Sequence, residues 1–282
     1  MRTNLCSFYF RFYIQYLPII RYDDFSENLQ GVNRMEYSGA AAYDDATFFK
    51  EYLTRRNRVE SPNNSIEKPI ILELISDVKG KKLLDLGCGD AQFGVELLEK
   101  GCIHYDGVEG SENMVREANK NLQTTTGNVY LSTMEVWNFP KEKYDFVVSR
   151  LALHYVADLQ GIFTDVYKSL ASNGKFIFSV QHPILTSSCK SAVPSAAKTD
   201  WIVDDYFNSG KRVEPWINKN IVKYHRTVEE YFQLLKHAGF TMRDMREGMP
   251  TIENFSSESE FQRRMRIPLF LMFSCEKEQR RR

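Results

Sequence analysis

The stretch that most constrains this chain is residues 82–94, KLLDLGCGDAQFG, in which a short apolar run leads into a glycine-rich turn. The run carries one acid, Asp85, and a strand buried on both faces of a parallel sheet has little use for a carboxylate in its packing. Gly87 and Gly89 allow a tight turn and a close approach of the backbone to a ligand. The helix predicted after them offers free N–H groups to an anion. The segment therefore predicts a nucleotide-type crevice at the start of a doubly wound α/β domain.

Two common phosphate-binding motifs do not fit this turn. A dinucleotide fingerprint needs a third glycine at position 92, which is Gln92, and the Gly-Lys-Ser/Thr ending of a phosphate loop is missing. The residues instead resemble motif I of the class I S-adenosylmethionine-dependent methyltransferases, in which the acid and the glycine backbone hold the amino-acid end of the cofactor. Ala91 stands where that family usually has its third glycine. The resemblance implies a role in cofactor binding for Asp85, Gly87, Cys88 and Gly89.

A second acid, Glu109, follows Gly87 by 22 residues and ends a predicted strand. A carboxylate there can accept hydrogen bonds from both ribose hydroxyls, an arrangement that NAD-binding enzymes share. The continuation through Ser111 to Met114 is similar to the acid-x-Ser-x-x-Met motif of the methyltransferase family. Ser111 is also a suitable N-cap for the next helix, and Met114 a suitable core residue. The resemblance implies cofactor contacts for Glu109, Gly110, Ser111 and Met114.

A third segment, residues 130–149, is similar to the part of the family in which one strand ends at the adenine and the next begins with an aspartate. Thr133, Met134 and Glu135 occupy the adenine-side positions, and Arg150 follows the second of these strands. In related methyltransferases an amino-terminal segment covers the cofactor. This implies that Tyr43 meets the methionine end, together with one of Arg55, Arg56 and Arg58, for which plain surface charge is the alternative.

Taken together, these motifs predict the fold of the family. We expect a Rossmann-like α/β domain with a doubly wound seven-stranded sheet in the order 3-2-1-4-5-7-6, its last strand antiparallel. A capping box at residues 227–230 opens the last long helix, and residues 240–247 and 268–275 are the closing strands. Residues 185–226 are rich in aromatic side chains and are predicted to be an insertion that caps the substrate site. The alternative is a small apolar core under a long loop.

The first 34 residues do not share the family pattern. They are rich in aromatic residues but broken by Arg11 and Gln15, so they are too short and too polar to span a bilayer, and no signal-peptide cleavage site follows. We interpret residues 1–34 as an upstream extension or a misassigned start, and residues 35–282 as the methyltransferase domain. A peripheral membrane anchor or partner anchor is the alternative.

The charge balance and the spacing of the cysteines limit which cellular compartment and which partners we expect. Charged residues make up 26% of the chain and balance to a net charge of zero, so no overall field attracts nucleic acid or an anionic membrane. The five cysteines show no C-x-x-C spacing and the five histidines no paired spacing. We expect a cytoplasmic protein without a metal site, a monomer or homodimer that forms no stable membrane association and binds no nucleic acid.

The segments ALHY, SVQHP, YHRT and PLFL, from residue 152 onward, look like those of the bacterial type 11 small-molecule methyltransferases. This resemblance implies transfer of a methyl group from S-adenosylmethionine to a small-molecule acceptor by in-line displacement. A cofactor-binding regulatory protein without turnover and an RNA or nucleoside methyltransferase are the alternatives. The sulfonium already makes the methyl group electrophilic, but an oxygen or nitrogen acceptor can need a base as well, and an imidazole suits that role. His154 is the first candidate, expected to face the space in front of the methyl group, and His182 and His225 are the next. Gln181 replaces a glutamate that is common in that group.

Overall fold

The structure is a computed structural model that describes residues 35–191, 200–217 and 219–278. Residues 35–282 form one compact unit. The extension predicted for residues 1–34 lies outside the described residues, and so do positions 192–199 and 218 of the predicted cap.

Strands and helices alternate along most of this unit. The described strands are β1 Glu36–Ser38, β2 Lys82–Leu86, β3 His104–Glu109, β4 Asn128–Leu131, β5 Tyr144–Arg150, β6 Leu170–Gln181, β7 Gly210–Trp216, β8 Lys219–His225, β9 Thr241–Arg246 and β10 Phe270–Glu276. The described helices are α1 Ala46–Arg56, α2 Lys68–Ile75, α3 Gln92–Glu99, α4 Glu112–Leu122, α5 Leu159–Ser169, α6 Pro183–Thr186, α7 Val228–Ala238 and α8 Glu258–Arg264. Short 3-10 helices lie at Gly39–Asp44, Leu153–Tyr155 and Ile252–Asn254, and a short π-helix lies at Asn63–Glu67.

The larger sheet has seven strands in the order β4-β3-β2-β5-β6-β10-β9. Numbered by their appearance within this sheet, the strands follow the order 3-2-1-4-5-7-6. The first five are parallel, and β10 runs antiparallel to both β6 and β9. The predicted topology is therefore confirmed. Because parallel strands end on the same side of a sheet, β2, β3 and β5 bring their last residues to one edge.

Two apolar layers cover the faces of this sheet. Leu83 and Leu84 are neighbours on β2 and point to opposite faces. Leu84 packs in a core with Phe163 of α5 and Tyr231 of α7, whereas Leu83 packs in a second core with Leu97 of α3. The near-continuous apolar strands of the sequence thus reflect burial on both sides.

The helix starts carry the caps that the sequence predicts. Ser111 accepts a hydrogen bond from the Met114 N–H at 3.2 Å, and Asp158 caps α5. Thr227 and Glu230 form the complete capping box of α7. In the part of the chain that the structure describes, no helix has both the length and the apolarity needed to cross a membrane.

A second sheet of three strands, in the order β1-β8-β7, lies outside the sequence prediction. The hairpin of β7 and β8 comes from the segment predicted as a cap, and β1 pairs with β8 in parallel. Phe48 of α1 and Ile221 of β8 are buried together in a small apolar cluster against which Trp216 packs. The cap segment and the amino-terminal segment therefore form a small apolar core together. β1 and α1 come from the start of the described chain, and β7 and β8 from the cap segment.

Candidate active site

A cavity of about 510 Å³ lies at the edge of the sheet where the parallel strands end. The residues at and after the ends of β2, β3, β4 and β5 form one part of its lining, here called the first wall. The remaining part, called the second wall, comes from residues within 38–67, the turn at 155–157 and Tyr224 of β8. The predicted cofactor residues that line it are Tyr43, Asp85, Gly87, Cys88, Gly89, Glu109, Gly110, Met114, Met134, Glu135 and Arg150.

The two glycines of the turn after β2 do different work. Gly87 has a φ of +74°, and a Cβ placed on it would lie 2.4 Å from the Cβ of Ala152, so its missing side chain is required by packing within the protein. Gly89 has a φ of +59°, and a Cβ placed on it would meet nothing within 4 Å. Because Gly89 also lines the cavity, it is the glycine that gives a ligand close access to the backbone.

Asp85 presents an unpaired carboxylate oxygen beside this turn. The side chain is only 2% exposed, and its Oδ2 accepts a hydrogen bond from the Tyr105 hydroxyl at 2.9 Å. Its Oδ1 has no hydrogen-bond partner among the described residues. Burial raises the pKa of Asp85 to about 7, although the Tyr105 hydrogen bond opposes this rise. Because buried polar atoms are normally hydrogen-bonded, this oxygen is available to accept a hydrogen bond from a ligand in the cavity.

Glu109 holds the turn and keeps acceptor capacity for a ligand. Its Oε2 accepts from the Gly89 N–H and its Oε1 from the Ser111 N–H, both at 2.9 Å. Burial raises the pKa of Glu109, and the backbone hydrogen bonds work against that rise. Each carboxylate oxygen can accept more than one hydrogen bond, so both stay available to a pair of neighbouring hydroxyls.

Ser111 is the predicted cofactor residue that does not line the cavity. It is fully buried, and its hydroxyl donates to Asp44 Oδ1 at 2.7 Å while it caps α4. Asp44 also accepts from the Asn113 N–H at 3.3 Å. The placement of Ser111 at the ligand is thus corrected: its side chain joins the start of α4 to the amino-terminal segment.

Sequence reasoning missed a buried ion pair in the cavity wall. Arg150 donates from Nε to both carboxylate oxygens of Glu67 at 3.1 Å, and Glu67 is fully buried. The Arg150 guanidinium also lies 4.3 Å from the centre of the Phe93 ring. Glu67 is a single glutamate before an apolar helix, and nothing in the neighbouring sequence distinguishes it from a glutamate on the surface.

Four tyrosines belong to the second wall, namely Tyr43, Tyr52, Tyr155 and Tyr224. The rings of Tyr43 and Tyr52 lie 4.8 Å apart, and Trp216 packs on Tyr52 at 5.9 Å. Burial raises the pKa of Tyr43 well above its usual value and that of Tyr52 to about 12, so both stay neutral. Of the three arginines considered at this end, Arg56 lines the cavity, whereas Arg55 and Arg58 are exposed and lie outside its lining.

The expected placement of His154 is corrected by the structure. The side chain is 3% exposed and does not line the cavity, although its neighbour Tyr155 does. The two residues lie in a tight turn of 3-10 helix, in which successive side chains point in different directions. Burial, with the charges of Lys223 and Arg226, lowers the pKa of His154 well below its usual value. His154 is therefore a neutral interior residue whose ring packs on Tyr155 at 4.4 Å.

His182 and His225 also lie outside the cavity lining. His182 Nδ1 accepts from the Ile184 N–H at 3.2 Å and its Nε2 lies 3.1 Å from Glu247. His225 bonds the hydroxyl of Thr186 at 2.7 Å and the carbonyl of Tyr206 at 2.8 Å. Burial lowers the pKa of both imidazoles. Both have the contacts of structural histidines.

Comparison with known proteins agrees with this geometry. A sequence profile of a family described as a methyltransferase domain matches residues 61–244. An uncharacterised protein of Haemophilus influenzae is 34% identical over 221 residues, which is 74% of this chain and 86% of that protein. A solved S-adenosylmethionine-dependent methyltransferase from Mesorhizobium loti is 28% identical, with a TM-score of 0.69 over 79% of this chain and 99% of its own. The chain belongs to the class I S-adenosylmethionine-dependent methyltransferases.

This methyltransferase also shares its fold with phosphoethanolamine N-methyltransferase 2 of Haemonchus contortus, solved with phosphomonomethylethanolamine and S-adenosylhomocysteine. The TM-score is 0.59 at 16% identity, over 86% of this chain and 61% of that one. At this identity the likeness concerns the fold alone. The cofactor of the present methyltransferase is S-adenosylmethionine.

Proposed function

We propose that this methyltransferase transfers the methyl group of S-adenosylmethionine to a small-molecule acceptor inside the cavity. The observation that carries the proposal is the composition of the cavity lining, which combines the glycine turn and its carboxylates with four tyrosines. A cavity of about 510 Å³ lies in the ordinary range for small-molecule sites. The chain has no net charge, so no overall field attracts a polyanion such as RNA.

The residues of the first wall fit the cofactor. The orphaned Oδ1 of Asp85 is placed to accept from an ammonium group, and the two oxygens of Glu109 from ribose hydroxyls. Met134 and Glu135 lie beyond the end of β4 and line the cavity, which supports their assignment to the adenine. Arg56 donates from Nη1 to the neutral Asn64, which leaves its charge for a carboxylate of the ligand. When bound, S-adenosylmethionine supplies a methyl group that is already electrophilic.

The residues of the second wall orient the acceptor. Tyr43, Tyr52, Tyr155 and Tyr224 offer flat ring faces and hydroxyl donors to the acceptor. None of the three candidate histidines lines the cavity, so we assign the rate enhancement to alignment and desolvation rather than to an imidazole base. The structurally related phosphoethanolamine enzyme makes small amine acceptors the first class to examine.

The experiment has two stages. Titration calorimetry with S-adenosylhomocysteine measures cofactor binding, and a screen with labelled S-adenosylmethionine then searches a metabolite extract, phosphoethanolamine, and transfer RNA for labelled products. We expect a micromolar affinity and label in a small molecule. Label in the RNA arm would replace the proposal with the nucleic-acid alternative. Tight cofactor binding with no product in any arm would favour a regulatory protein without turnover.

A further inference from the structure

A buried polar network joins two residues that line the cavity, Glu67 and Arg150, to Ser179, which does not line it. Glu67 precedes α2, Arg150 ends β5 and Ser179 lies on β6. Arg150 donates to Glu67 from both Nε and Nη2, and the Ser179 hydroxyl donates to Glu67 Oε1 at 2.7 Å. Glu67 and Ser179 are fully buried. We call these three residues the Glu67 network.

The network ends at a strained point of the backbone. Leu151 has a φ of +54°, a left-handed conformation that leucine rarely adopts. Its N–H donates to both the hydroxyl and the carbonyl oxygen of Ser179 at 3.0 Å. Residues in such conformations persist where their surroundings leave no alternative, and they cluster at functional sites. The Glu67 network is the surrounding structure that holds Leu151 in place.

This strained point touches the turn that receives the cofactor. The Cβ of Ala152 lies 2.4 Å from the position that a Cβ on Gly87 would take, so the Ala152 side chain packs directly on the backbone of the glycine turn. Arg150 packs on Phe93, which lies in the first turn of α3 directly after the glycine turn. Glu67, Arg150 and Ala152 all line the cavity. A shift of the backbone at 151–152 would therefore displace the glycine turn.

We propose that Glu67 is a positioning residue for cofactor binding, which acts through Arg150 and Ser179 on the backbone at 151–152. The proposal rests on the cofactor site described under the proposed function. A buried ion pair by itself adds little to stability, because the loss of hydration offsets the attraction between the charges. Stability alone therefore does not account for the pair, whereas the geometry that it imposes on the cavity wall does.

The test measures S-adenosylhomocysteine affinity and melting temperature in the full chain with Glu67→Gln or Ser179→Ala. Glu67→Gln keeps the size of the side chain but removes the charge that orders Arg150. We expect the dissociation constant to rise about tenfold or more in Glu67→Gln, and about threefold or more in Ser179→Ala, because misplaced binding groups are costly. The matched control is Asp106→Asn. Asp106 is equally buried and accepts from Lys143 and Tyr144 at 2.7 Å, but it does not line the cavity.

The control variant should melt at a lower temperature and bind S-adenosylhomocysteine within about twofold of the unsubstituted protein. Unchanged affinity in Glu67→Gln and Ser179→Ala, with only the melting temperature lowered, would overturn the positioning role. An equal loss of affinity in Asp106→Asn would do the same, since general loosening would then explain it. If Glu67→Gln does not fold, Ser179→Ala decides by the same criterion. Failure of the unsubstituted protein to bind would instead overturn the cofactor site itself, and this proposal with it.

Discussion

At the scale of single residues, Asp85 carries a conflict between stability and ligand binding. Burial raises its pKa from 3.8 to about 7, so between these values the folded protein binds more protons than the unfolded chain. Stability therefore falls as the pH rises through that window. We expect Asp85→Asn to raise the free energy of unfolding at pH 8 by about 1–3 kcal/mol. The same substitution should weaken S-adenosylhomocysteine binding, because the charge that faces the ligand is lost.

Urea unfolding at pH 5 and pH 8 checks this prediction. The difference in stability between Asp85→Asn and the unsubstituted protein should be larger at pH 8, where Asp85 is ionised in the folded state. A gain of the same size at both pH values would show that the buried charge is not its cause.

Arg56 should recognise the carboxylate of the cofactor's methionine part. Its guanidinium lines the cavity, and its hydrogen bond to Asn64 leaves most of its donors free. We expect Arg56→Gln to weaken S-adenosylhomocysteine binding by about 1.5–3 kcal/mol, the scale of a hydrogen bond to a charged group. Binding of 5′-methylthioadenosine, which lacks the amino-acid end, should stay unchanged. Glu109→Ala should weaken both ligands by a similar amount, since both carry the ribose.

Arg55→Gln is the control. It removes the same charge from the same helix, but Arg55 is exposed and does not line the cavity. Calorimetry with the two ligands separates the outcomes. Equal loss of both ligands in Arg56→Gln would point to a structural role. If Arg56→Gln bound both ligands as well as the unsubstituted protein, Arg56 would not bind the cofactor and would instead be a candidate for binding an anionic group of the acceptor.

Whether a site residue could be predicted from the sequence depended on whether its position is determined by residues close to it in the chain. Asp85 lies one residue before the end of the buried strand β2 and Glu109 ends β3, so their positions at the cavity could be predicted from the pattern alone. His154 lies only four residues beyond Arg150, yet one tight turn decides which of two neighbours faces the cavity, and Tyr155 takes that place. Glu67 could not be found from the sequence because its partners, Arg150 and Ser179, are brought to it only by the folded sheet.

At the scale of elements, the two glycines of the turn between β2 and α3 have different roles, one in packing and the other in ligand binding. A Cβ at Gly87 would collide with Ala152, whereas one at Gly89 would enter open space. We expect Gly89→Ala to cost about 1–2 kcal/mol of stability for its left-handed backbone. It should weaken S-adenosylhomocysteine binding strongly, because the added methyl group lies on the ligand's path. Gly87→Ala should destabilise the fold itself by a larger amount.

Thermal melts with and without S-adenosylhomocysteine compare the two variants. Gly89→Ala should melt near the unsubstituted protein and lose most of the shift that the ligand causes. Gly87→Ala should melt markedly lower even without ligand. Our expectation from sequence, that Gly87 serves ligand approach, is refined accordingly. A Gly89→Ala protein with the full ligand shift would contradict the division of roles.

The elements also show why one sheet could be predicted and the other could not. The large sheet follows from strands that are apolar on both faces and separated by capped helices, signals that lie within a few residues of each other. The small sheet depends on Tyr37 of β1 pairing with Ile221 of β8, across most of the unit's length. β1 is only three residues long and has no buried residue, so its sequence carries no strand pattern.

At the scale of the whole molecule, residues 35–282 should fold and bind without the first 34 residues. They form one compact unit that contains both sheets and, among the residues that the structure describes, all those that line the cavity. We expect a chain that starts at Met35 to melt cooperatively and to bind S-adenosylhomocysteine within about twofold of the full chain, because no group of the cavity is removed. Calorimetry on both chains at equal concentration makes the comparison. A shortened chain that is insoluble, or that binds at least tenfold more weakly, would show that the aromatic extension belongs to the functional unit and that the proposed domain boundary at Met35 is wrong.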